Sequence, residues 1–68
     1  MTIADPRHRV RQLLLSGDNT LKHRTGPEGV RRARRRYEEA REVAVQAGLE
    51  EVIAIIDRRL ADIPEEGR

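Results

Sequence analysis

Between Val10 and Ile63 the apolar residues fall at helical spacing in three blocks separated by short polar breaks. In the first block Val10, Leu13 and Leu14 share a face. It is opened by Asp5-Pro6, a capping residue followed by proline at the first helical position. Gly17 ahead of Asp18-Asn19-Thr20 reads as its stop. Leu21 continues the same face, so the helix has the option of running on. The stop is the preferred reading, with Leu21 pinning a polar linker over 18–25, the segment expected to be most mobile. The second block holds Val30, Ala33, Tyr37, Ala40, Ala44 and Ala47, a seam of mostly small residues spaced three, four, three, four, three. Thr25-Gly26-Pro27-Glu28 has the form of a capping box before it, and Gly48-Leu49 closes it. The third block places Leu49, Val52, Ile53, Ile56, Leu60 and Ile63 on one stripe ahead of Pro64.

The pattern predicts an all-α chain with three helices at about 6–16, 27–47 and 50–63. By segments, 1–24 is an N-terminal helix and polar linker, 25–63 a helical hairpin and 64–68 a polar tail. The short connection at Gly48-Leu49 makes helices two and three antiparallel neighbours, with the Ile/Leu stripe against the alanine seam. At 1.5 Å per residue, helix two extends about 31 Å and helix three about 21 Å. Helix three therefore covers Ala40, Ala44 and Ala47 and leaves Val30, Ala33 and Tyr37 for another cover. That cover is either the Val10, Leu13, Leu14 face of helix one or the same surface of a second chain. A chain of 68 residues buries little surface alone, which favours packing as a homodimer.

Composition narrows the function classes. With no cysteine there is neither a disulfide framework nor a thiolate metal site, which points to the cytoplasm. The longest apolar run is the five residues Val52 to Ile56, too short for a signal peptide core or a membrane span. The net charge of +2 is unevenly spread, with residues 1–25 at +3, 26–47 at +2 and 48–68 at −3. The two ends are thus able to attract each other, within one chain or between two. The basic residues are thirteen arginines and a single Lys22, a skew that codon usage in a GC-rich genome also produces.

Ala33, Tyr37 and Ala40, with the stretch Tyr37-Glu38-Glu39-Ala40-Arg41-Glu42-Val43-Ala44, resemble the second helix of a tetratricopeptide repeat. The similarity extends over Gly26 to Ile63 as a type of helical hairpin. It implies a protein-binding scaffold.

The expected function is accordingly a small, non-enzymatic, homodimeric protein-protein interaction module. Its partner protein would meet the open end of the seam at Val30, Ala33, Arg34, Tyr37 and Arg41. The alternative is a basic accessory protein binding DNA or RNA through Arg7, Arg9 and Arg11 of helix one and Arg31, Arg32, Arg35 and Arg36 of helix two. Glutamates interrupt that arginine face, and Tyr37 is the sole aromatic residue, so no base-stacking platform is expected. Catalytic residues, metal ligands and cofactors are not expected. His8 and His23 have no second histidine at metal spacing, and the Glu38-Glu39 and Glu65-Glu66 pairs are adjacent rather than convergent. Ser16, Thr20 and Thr25 read as capping hydroxyls.

Overall fold

A computed structural model describes residues 5–24 and 26–63. Among them the chain is all-helical, with α1 at Pro6–His23, α2 at Pro27–Ala47 and α3 at Glu50–Asp62. The start of α1 follows from its sequence: Asp5 is extended, and its carboxylate accepts from the Arg7 N–H at 3.0 Å. Lys22 and His23 occupy its last turn, where cations complement the helix dipole.

The predicted stop of α1 is corrected. The helix passes through Gly17 and Asp18 to His23, so the polar linker expected over 18–25 shrinks to the few residues between His23 and Pro27. An isolated glycine only weakens a helix, by about 1 kcal/mol, and tertiary packing outweighs that here. Gly17 is buried against Tyr37, as set out below, and Leu21 adds to the same apolar face.

α2 has the expected bounds. Its cap residue is Gly26, which makes no side-chain cap hydrogen bond; Thr25 of the expected capping box lies outside the described residues. Its end is a Schellman turn. Gly48 takes φ +72°, its N–H donates to the Val45 carbonyl at 3.1 Å, and the Leu49 N–H donates to the Ala44 carbonyl at 2.9 Å. Only the two residues Gly48 and Leu49 then separate α2 from α3, whose first turn carries Glu50 and Glu51.

α2 is the central element. Both α1 and α3 pack on it, and they have little direct contact with each other. The core joins Val10 and Leu13 of α1, Val30, Ala33, Tyr37, Ala40 and Ala44 of α2, Ile56 of α3, and Ile63. Leu14, Val43, Val52, Ile53 and Leu60 pack around it, partly buried. Small residues on α2 let both neighbours approach closely, while the bulk comes from α1 and α3. Ala47 departs from expectation, being exposed rather than covered by α3. A heptad seam drifts by about 20° per heptad around a straight helix, and Ala47 lies at the far end, in the last turn. No helix among the described residues is long and apolar enough to cross a membrane.

Candidate interaction surfaces

The half-buried polar centre of the molecule joins one residue from each helix. The Tyr37 hydroxyl of α2 donates to Asp18 Oδ1 of α1. Arg59 of α3 donates to both oxygens of the same carboxylate, Nε to Oδ1 and Nη2 to Oδ2, each at 3.2 Å. Burial pushes the Asp18 carboxyl up, but the hydrogen bonds from Arg59 and Tyr37, with the Arg59 charge, outweigh it and hold it below its ordinary value. The Tyr37 phenol is raised, by burial first and then by the hydrogen bond to Asp18 and its charge. Bonding to Asp18 likewise raises Arg59. Each group is held in its everyday protonation state, which suits a structural clasp and works against proton transfer near neutral pH.

Of the residues expected to meet a partner, Val30, Ala33 and Tyr37 are buried in the chain's own core, with Tyr37 only 2% exposed. α1 packs over that end of the seam. Arg34 is half-buried. Arg41 is exposed, and its Nε donates to Asp57 of α3 at 2.6 Å, an exposed tie along the α2–α3 seam.

Exposed apolar surface lies elsewhere. Leu15 of α1 is 60% exposed and Ile55 of α3 is 50% exposed. Both line one groove of about 380 Å³ between the two outer helices, with Val10, Leu14 and Val52 along it. Arg7 and Arg11 stand along its α1 side and make no ion pair among the described residues. Arg59, also in the groove, is engaged with Asp18. Leu15 and Ile55 belong to neither apolar stripe of the sequence because each stands off its helix's main apolar face. That same offset was the available signal: two large aliphatic residues outside the stripe, on different helices.

A second depression, of about 490 Å³, lies between α1 and the first half of α2. It is lined by Arg31, Arg32, Arg35 and Arg36, by Glu28, and by Ser16 and Thr20. The last two sit within α1 rather than at a helix end; the Thr20 hydroxyl donates to the Ser16 carbonyl at 2.8 Å, one turn back. Structure thus divides the seven arginines of the nucleic-acid alternative. Arg31, Arg32, Arg35 and Arg36 share this cleft, and Arg7 and Arg11 face the apolar groove. Arg9 is tied to Glu39 of α2 at 2.9 Å.

His8 and His23 are exposed, and among the described residues no three His, Cys, Asp or Glu side chains group as a metal ion would require. No protein family, curated protein or solved structure compared with the chain matches it, so its own surfaces are what point to a function.

Proposed function

We propose that the chain is a small, non-enzymatic helical interaction module that holds a helix of a partner protein in the groove between α1 and α3. The observation that carries this reading is the convergence of Leu15 and Ile55, both exposed, on one apolar groove. Two helices packed on a third leave a seat for a fourth, and a helix laid there would bury the aliphatic side chains that water now covers. Charge defines the partner. With Arg7 and Arg11 along the groove and in no ion pair among the described residues, the complementary helix carries a Leu/Ile stripe flanked by glutamate or aspartate.

The finer architecture belongs to the same proposal. α2 and α3 form an antiparallel hairpin of the tetratricopeptide type, supported by their two-residue connection and by the Arg41–Asp57 bond across the pair. The experiment is a titration of the isotopically labelled chain with a synthetic amphipathic peptide bearing a leucine stripe and glutamate flanks. Shifts confined to the methyl groups of Leu14, Leu15, Val52 and Ile55, lost in the Leu15→Glu, Ile55→Glu double variant, are expected. Absence of those shifts overturns the proposal. So does a sedimenting dimer that the double variant dissociates, since a second copy then fills the groove.

A further inference from the structure

We infer that the arginine cleft between α1 and α2 is a second, independent binding surface, one that holds the phosphodiester backbone of a nucleic-acid duplex without regard to base sequence. Arg31 and Arg35 lie one helical turn apart, as do Arg32 and Arg36, so two rows of guanidinium groups enter the same cleft. Their charges are available. Arg31 and Arg35 make no ion pair among the described residues. Among the described residues Arg32 and Arg36 have only distant carboxylates, Glu28 at 3.8 Å and Glu39 at 3.9 Å, and they keep more than half of their side-chain surface in water. A contact of that length between exposed groups is weak and yields readily to a stronger anion. Glu39 is moreover already held by Arg9 at 2.9 Å, which leaves Arg36 the looser of its two partners.

The chemistry of the lining selects among polyanions. Guanidinium groups with a hydroxyl nearby, here that of Ser16, are the usual donors to phosphate oxygens, while the Thr20 hydroxyl is committed to the Ser16 carbonyl. The cleft holds no large apolar side chain, so it offers nothing to the apolar stripe of an acidic protein helix and nothing to insert into a lipid surface. Single strands are held largely by stacking bases on aromatic rings. Tyr37, the only aromatic residue of the chain, is buried. A duplex, with phosphates outside and bases inside, matches a surface that has guanidinium charge but no ring.

The test is fluorescence anisotropy of a labelled DNA duplex of about twenty base pairs, titrated with the whole chain across a range of salt. Counterion release predicts a log–log salt slope of about −3 to −4 if four arginines each neutralise a phosphate. Arg31→Gln with Arg35→Gln should make that slope shallower by about 2 and weaken binding by about tenfold or more at low salt. Both side chains are exposed, and an unchanged circular dichroism spectrum establishes that the fold is kept. Arg7→Gln with Arg11→Gln removes equal charge from the apolar groove and should change duplex affinity by less than about twofold. Equal losses in the two double variants would reduce the effect to net charge and overturn the inference. Failure to bind the duplex at low salt would overturn it too, as would tighter binding to phosphatidylserine vesicles or to polyglutamate.

Discussion

Gly17 of α1 lies directly under the ring of Tyr37 of α2: a Cβ at position 17 would stand 2.5 Å from Cε1 and 2.9 Å from Cδ1 of the tyrosine. Contacts that close do not occur between real atoms, so the absence of a side chain at 17 is what lets the two helices meet around the ring. The neighbouring residue, Asp18, then receives the Tyr37 hydroxyl. One glycine thus sets both the apolar and the polar half of the tyrosine's environment.

Gly17→Ala is the direct probe of this fit. In an ordinary exposed helix the change would stabilise by about 1 kcal/mol through helix propensity. Here overpacking opposes it, typically by about 1–3 kcal/mol, and Tyr37 is too confined to swing aside. Urea denaturation is expected to show a net loss of up to about 2 kcal/mol. A gain would mean that the ring moves freely and that Gly17 is an incidental mid-helix glycine.

Acid should loosen the chain through Asp18. Its carboxyl lies below the ordinary value of 3.8 when folded, so the native state binds fewer protons than the unfolded one as pH falls. The stabilisation is therefore fully present above about pH 5 and disappears as pH drops through the folded value. Asp18→Asn should flatten this acid limb and lower stability near neutrality by about 1 kcal/mol, a modest figure because the Arg59–Asp18 pair is partly screened by solvent. Denaturation profiles between about pH 7 and pH 2 measure both effects; identical acid limbs for the two proteins would remove Asp18 as their cause.

Alkali should act through Tyr37 with the opposite sign. Its phenol is raised above the ordinary 10.0, so the folded chain keeps this proton after the unfolded chain begins to lose it. The associated stability is intact below about pH 10 and falls as pH climbs beyond it. Tyr37→Phe keeps the ring on Gly17 but has no proton to lose, so its alkaline limb should be flatter. Absorbance at the tyrosinate band gives an independent reading, since native Tyr37 should ionise only at a pH well above that of free tyrosine.

Leu15 and Ile55 should be separable from the core by stability alone. Leu15→Glu and Ile55→Glu alter side chains that are 60% and 50% exposed and should shift stability by no more than about 0.5 kcal/mol each. Leu13→Ala, at a position only 4% exposed, should cost about 2–5 kcal/mol. Large losses from the glutamate variants, measured in the same urea titrations, would mean that the α1–α3 groove is part of the core.

The contrast between what the sequence disclosed and what it hid follows the range of the forces involved. Both ends of α2 and the start of α1 were legible, because Asp5-Pro6, Pro27 and Gly48-Leu49 act on the backbone within a few residues. The end of α1 was not. Gly17 and Asp18 have local signatures of a helix stop and a loop, and their reasons for being helical lie in Tyr37 and Arg59, far along the chain. The arginines of α2 were legible as a charged face, but Ser16 and Thr20, placed within an unbroken α1, make that face one side of a cleft. Arg7 and Arg11 part company with Arg9 for a similar reason, since the packing of α1 on α2 decides which flank each one occupies.

That packing makes α1 a wall of both surfaces, facing α3 on one side and the first turns of α2 on the other. A shortened chain keeping only α2 and α3 would lose the groove and the cleft together. It would also bare Val30, Ala33 and Tyr37, trading two selective surfaces for one indiscriminately adhesive strip.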